Sequence, residues 1–72
     1  MEARLEDFKT GWFGLSIGLT DDEIGLLVRR LQELQASRGH FHARGDFTGP
    51  GGVADIEFSW QEHSQTGGLS IE

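Results

Sequence analysis

The sequence predicts an α+β two-layer sandwich, in which one amphipathic helix packs on one face of a three- to five-stranded mixed sheet. Three stretches alternate apolar and polar or small residues with the period of a strand, and one stretch has apolar residues at helical spacing. A chain of 72 residues has room for one small core, so residues 1–72 are expected to form a single domain.

The first strand of the sheet is predicted between Trp12 and Leu19, where large apolar residues alternate with small ones. The segment Ala3–Phe8 adds an edge strand, joined to the first by a turn at Gly11. Trp12 is in phase with the small residues, which places its indole on the polar, open side of the sheet. The alternative is that Trp12 precedes the regular strand and folds back over the helix edge.

The helix is predicted over residues 21–37. It begins with a capping box, in which the Thr20 hydroxyl accepts from the Glu23 amide and Glu23 reaches back to Thr20. Apolar residues then follow at i, i+3, i+4, i+7 and i+10 from Ile24 to Leu34 and form one stripe. Gly39 suits the left-handed position that ends a helix.

Residues 40–47 and 53–60 are predicted to form an antiparallel hairpin, closed by the Gly- and Pro-rich turn at 48–52. The strand over 12–19, the helix and the strand over 40–47 make a β-α-β unit, right-handed if its strands run parallel. Phe47 is expected on the same apolar side as Phe41. The predicted core is Phe13, Leu15, Ile17, Ile24, Leu27, Val28, Leu31, Leu34, Phe41, Ile56 and Phe58.

The other side of this hairpin carries a row of polar side chains. A register that keeps the apolar face together also keeps the polar face together. It places Arg44 opposite Asp55 or Glu57, and His42 opposite Glu57 or Ser59.

Two histidines in this row are candidates for metal binding. His40 and His42 are two residues apart on one strand, so both rings can point the same way, and Asp46 or His63 could complete a ligand set. The alternative is that they are solvent-facing members of the charged row, where a carboxylate neighbour favours the protonated imidazole that a metal cannot use. We favour this second interpretation and predict no tight metal site and no cofactor.

Catalysis is not expected. The chain has no cysteine and no nucleophile elbow, and two layers of about 70 residues rarely enclose a cleft. The net charge of −6 argues against binding to nucleic acid or to an anionic membrane, and it suits a basic protein partner. No apolar run reaches the length of about 18 residues that a membrane helix needs, and the N-terminus lacks a signal peptide. We expect a cytoplasmic, non-enzymatic protein.

Three features together resemble a known family. They are the run Leu15-Ser-Ile-Gly-Leu-Thr-Asp-Asp-Glu-Ile24, the residues Leu27, Leu31 and Leu34, and His40-Phe41-His42 before a Gly-rich turn. This pattern, over residues 15–58, resembles the immunity protein 32 family of bacterial polymorphic-toxin systems. The resemblance implies a small inhibitor that binds and neutralises a toxin, often a nuclease.

Two alternatives remain open. Short acidic phage proteins that block defence nucleases, such as anti-CRISPR proteins, belong to the same class of inhibitor. A homo-oligomeric structural or regulatory module, a homodimer for example, would pair through an exposed edge strand. For an inhibitor, the partner is predicted to contact the open sheet face, where Trp and Arg are favoured as hot spots. The predicted contact residues are Trp12, His42, Arg44, Asp46, Asp55 and Glu57.

Overall fold

The computed structural model describes residues 1–64 and 68–72. In chain order, the elements are β1 (Glu2–Asp7), β2 (Phe13–Gly18), α1 (Asp21–Ser37), β3 (His40–Arg44) and β4 (Asp55–Ser59). The α+β class is therefore confirmed. The described strands form two separate two-stranded sheets, β1-β2 and β3-β4, instead of one mixed sheet. The predicted β-α-β unit is not found within one described sheet, because β2 pairs with β1 and not with β3.

The first sheet is an antiparallel hairpin, and its β1 confirms the predicted edge strand. Leu5 lies opposite Leu15, and Ala3 lies opposite Ile17. The backbone amide of Phe8 donates to the Trp12 carbonyl at 3.1 Å and closes the connecting turn. One face of this hairpin is consequently apolar, while the other carries Glu2, Arg4 and Glu6 opposite small residues.

The helix has the predicted bounds, and its capping box is present. The Glu23 amide donates to the Thr20 hydroxyl at 3.3 Å, and the Thr20 amide donates to the Glu23 carboxylate at 3.0 Å. The left-handed residue at the C-terminal end is Arg38, with φ of 60°, and not Gly39. The Arg38 amide donates to the Leu34 carbonyl at 2.8 Å, so the reversal comes one residue earlier than predicted.

The second sheet is the predicted hairpin with shorter strands. Phe41 lies opposite Phe58, and their rings stack with centroids 4.8 Å apart. The strand ends before Phe47 because the Asp46 carboxylate accepts hydrogen bonds from the Thr48 amide and hydroxyl, which turns the chain. Phe47 therefore has φ of 60° and is 81% exposed, so its predicted place on the apolar side is wrong.

The predicted core is only partly covered, and none of the described residues is fully buried. The helix α1 packs against β3, whereas no comparable contact joins the β1-β2 hairpin to another described element. A predicted core residue is thus covered only where helix and second hairpin meet. The half-buried residues of the predicted core are Leu27, Leu34, Phe41, Ile56 and Phe58. The exposed residues of the predicted core are Phe13, Leu15, Ile17, Ile24, Val28 and Leu31.

The whole chain is open for its size. Its accessible surface is 6652 Å², whereas a folded monomer of 8.0 kDa exposes about 4,450 Å². The radius of gyration is 14.0 Å, against about 11 Å for a compact chain of this length. The accessible surface therefore exceeds that of a compact monomer by about 2,200 Å², and six residues of the predicted core are among the exposed side chains.

Candidate functional site

The polar face of the β3-β4 hairpin places His42 between two carboxylates. The His42 Nδ1 atom lies 3.0 Å from both oxygens of Asp55, and its Nε2 atom lies 3.5 Å from Glu57 Oε1. The register explains this geometry, because Glu57 is directly opposite His42 and Asp55 is two residues before it on β4. His42 is only 21% exposed, so its ring has a defined environment.

His40 extends this cluster along β3. Its ring meets the His42 ring edge to face, with centroids 5.3 Å apart. Potential ligand atoms of His40, His42 and Glu57 all lie within 4.8 Å of one another. The residue that joins the histidines is therefore Glu57, whereas the sequence suggested Asp46 or His63 for that place. The pairing register was the missing information, because it decides which β4 carboxylate faces His42.

The other members of the predicted polar row have separate surroundings. Arg44 lies opposite Asp55 in the register, but the Asp55 carboxylate contacts His42. Asp46 lies beyond the end of β3, and the hydrogen bonds from the Thr48 hydroxyl and amide lower the pKa of its carboxyl. Within the predicted row, His42, Asp55 and Glu57 therefore form a cluster, whereas Arg44 and Asp46 lie outside it at the end of the row.

Trp12 lies on the other hairpin. It occupies the turn between β1 and β2 and is 75% exposed. Because β2 and β3 belong to different sheets, the structure does not place Trp12 on one sheet face with His42, as the sequence predicted.

A second candidate surface lies on the β1-β2 hairpin, and three of its four residues were expected in the core. Leu5, Phe13, Leu15 and Ile17 share the apolar side of the β1-β2 hairpin, and we call them the uncovered hairpin face. The exposed fraction rises along β2 from 38% at Ile17 to 59% at Phe13, next to the turn. The alternating pattern identified these side chains as apolar. It could not show whether another element of the fold covers them.

Chemically, the two surfaces differ. The imidazole and carboxylate cluster offers ligands and hydrogen-bonding groups, and the uncovered hairpin face offers apolar contact area. The helix among the described elements is too short and too polar to cross a membrane. Comparisons with protein-family models, curated proteins and solved structures find no match to this chain.

Proposed function

We propose that the protein is a non-enzymatic inhibitor that binds a basic protein partner through the uncovered hairpin face. The observation that carries the proposal is an apolar sheet face against which no other described element packs closely, with Leu5 63% and Leu15 49% exposed. An isolated two-stranded hairpin is marginally stable in water unless another element packs on its apolar side. A bound protein would supply that layer.

The surplus surface is large enough for this role. A standard protein–protein interface takes about 800 Å² from each partner, and the chain exposes about 2,200 Å² more than a compact monomer. Trp12 precedes Phe13 at the turn end of the β1-β2 hairpin and is 75% exposed. Trp residues are enriched among those that contribute most to binding, so Trp12 is the expected anchor.

The charge of the chain favours a basic partner. The net charge is −6, and acidic side chains lie in the first turn of α1 and along β4. Opposite charge on a partner accelerates association and excludes acidic competitors. Proteins that act on nucleic acid are basic at their sites, which is compatible with the toxin or nuclease partner that the family resemblance implies and equally with a phage anti-defence inhibitor.

A homodimer is the second candidate, and the same surplus of accessible surface supports it. Two chains that each cover about 2,200 Å² would bury an area typical of obligate homodimers, which is about 2,000–5,000 Å². Self-association also brings two net charges of −6 together, and this repulsion opposes it. We therefore place the homodimer second.

Binding to a purified partner tests the proposal. The chain is used as bait in native host lysate, and a retained basic protein is then purified and titrated with the wild type and variants. Trp12→Ala is expected to weaken binding by about 30-fold, and Leu5→Ser to weaken it comparably, because both reduce apolar contact at one surface. Leu26→Ser is the matched control on α1, where Leu26 is 44% exposed, and should bind as the wild type does.

The same experiment includes an activity measurement and a measurement of oligomeric state. One equivalent of the chain is expected to suppress the partner's activity. Equal affinity in Leu5→Ser, Trp12→Ala and wild type, with far-UV circular dichroism unchanged, would contradict the proposal. A strict dimer in analytical ultracentrifugation that Leu5→Ser converts to monomer would favour the homodimer instead.

A further inference from the structure

We propose that His40, His42 and Glu57 bind one zinc ion, and that Asp55 orients His42 for it. The three residues supply two imidazoles and one carboxylate from neighbouring positions on β3 and β4. Two His and one Glu form a ligand set that tetrahedral Zn²⁺ uses, with a fourth position open to water. This zinc site differs from the interpretation that the sequence favours, in which the two histidines are solvent-facing members of a charged row.

The contact between His42 and Asp55 fixes which ring nitrogen faces the ion. When Nδ1 carries a proton, it donates to the Asp55 carboxylate, 3.0 Å away, and Nε2 keeps its lone pair. A carboxylate that accepts from the outer nitrogen of a ligating histidine is the usual support of a zinc ligand, since it orients the ring and increases its basicity. Sequence reasoning could not assign this role, because it placed Asp55 opposite Arg44 in one of its two registers and in neither register opposite His42.

The distances suit an ion between Nε2 and Glu57. Zn–N and Zn–O bonds of about 2.0–2.2 Å in a tetrahedron place ligand atoms about 3.3 Å apart. The His42 Nε2 atom is 3.5 Å from Glu57 Oε1, close to that spacing. Within the group the atoms are at most 4.8 Å apart, and His40 is exposed, so we expect its ring to turn when the ion binds.

The alternative is a purely ionic arrangement, in which a doubly protonated His42 donates to Asp55 and Glu57 at once. The two arrangements differ in what they need from Nε2. A zinc ion requires its lone pair, whereas the ion pair requires a proton there, so zinc binding must release any proton held at Nε2. In either arrangement, side-chain contacts link the β3 and β4 strands. Zinc would add a cross-link between these strands, which a chain without cysteine cannot obtain from a disulfide.

Titration with zinc chloride, followed by calorimetry, tests the site, and cobalt(II) absorption reports tetrahedral coordination. The wild type is expected to bind one ion per chain. His42→Ala and Glu57→Gln should lose this binding, and Asp55→Asn should weaken it by about 10- to 100-fold while it leaves all three ligands in place. His63→Ala is the matched control, since it removes an exposed histidine outside the cluster, and it should bind as the wild type does.

Several results would overturn the assignment. They are no binding by the wild type, an equal loss in His63→Ala and His42→Ala, or unchanged affinity in both Glu57→Gln and Asp55→Asn. The last two results indicate adventitious binding by surface histidines. Glu57→Gln and Asp55→Asn are nearly isosteric, so they keep the test decisive even if His42→Ala does not fold. Circular dichroism of each variant confirms the fold before titration.

Discussion

The guanidinium of Arg38 lies over the indole of Trp60, with its central carbon 4.7 Å from the ring centroid. Arg38 is the left-handed residue that ends α1, and Trp60 follows β4, so this contact joins the helix end to the second hairpin. The Trp60 amide also donates to the Gly39 carbonyl at 3.1 Å. In a chain with so little buried surface, this junction is a main connection between helix and hairpin.

Trp60→Ala is expected to lower the free energy of unfolding by about 1–2 kcal/mol, because it removes the cation–π contact and the apolar wall that Trp60 contributes to a groove lined also by Val28 and Leu31. Urea denaturation followed by circular dichroism measures the loss. Trp12→Ala is the matched control, and because Trp12 projects from a turn, its effect should stay within about 0.5 kcal/mol. Equal losses in the two variants would argue against the junction.

The capping box makes the helix start sensitive to one hydroxyl. Thr20→Ala is expected to cost about 1 kcal/mol of unfolding free energy, because the Glu23 amide loses its acceptor. Thr10→Ala, at an exposed position in the β1-β2 turn, should change stability by less than about 0.5 kcal/mol. Thermal or urea unfolding of the two variants in parallel distinguishes a cap from a general effect of removing threonine.

Acid should weaken the fold through Glu23. The hydrogen bond from the Met1 amino group, followed by that from the Thr20 amide, lowers the pKa of the Glu23 carboxyl from 4.5 to about 2. Because the folded-state pKa lies below the unfolded value, the stabilisation is present above pH 4.5 and is lost as the pH falls toward about 2. The stability difference between wild type and Glu23→Gln should therefore shrink over that range in urea titrations at successive pH values. A difference that stays constant over the range would contradict this assignment.

Gly45→Ala is expected to destabilise the second hairpin by about 1–3 kcal/mol. A Cβ atom at position 45 would lie 2.9 Å from the Val53 carbonyl oxygen, and that backbone cannot move without loss of the 2.7 Å hydrogen bond between Gly45 and Ala54. Gly18→Ala is the control, because a Cβ atom there meets nothing within 4 Å and its φ is ordinary. It should leave stability unchanged or raise it by about 0.5 kcal/mol in the same denaturation experiment.

Local features of the fold could be predicted from the sequence, because short-range chemistry determines them. The helix bounds follow from a capping box and a period of 3.6, and the β3-β4 hairpin follows from two alternating strands around a turn. Pairing between strands distant in sequence has no such signature. Alternation along β2 is equally compatible with β1 or β3 as neighbour, so the single sheet could not be excluded.

In the candidate sites, too, the sequence predicts local features but not the pairing and packing of distant segments. The alternation of polar and apolar residues placed His42, Asp55 and Glu57 on one face of the hairpin. Two pairing registers were compatible with that alternation, and only the observed register puts Glu57 opposite His42. Phe13, Leu15 and Ile17 of the uncovered hairpin face were assigned to the core because the hydrophobic pattern reports which side of a strand is apolar. Whether another element covers that side depends on long-range packing, which the pattern does not contain.

Each strand in the described part of the chain pairs with its neighbour along the sequence, β1 with β2 and β3 with β4. Neither pairing has to wait for a distant segment to arrive, so the entropy of closing a long loop does not delay either one. Chains whose strands pair locally fold faster than chains of similar size whose strands pair across long stretches of sequence. The protein should accordingly fold soon after synthesis, and a temperature-jump experiment would measure its folding rate.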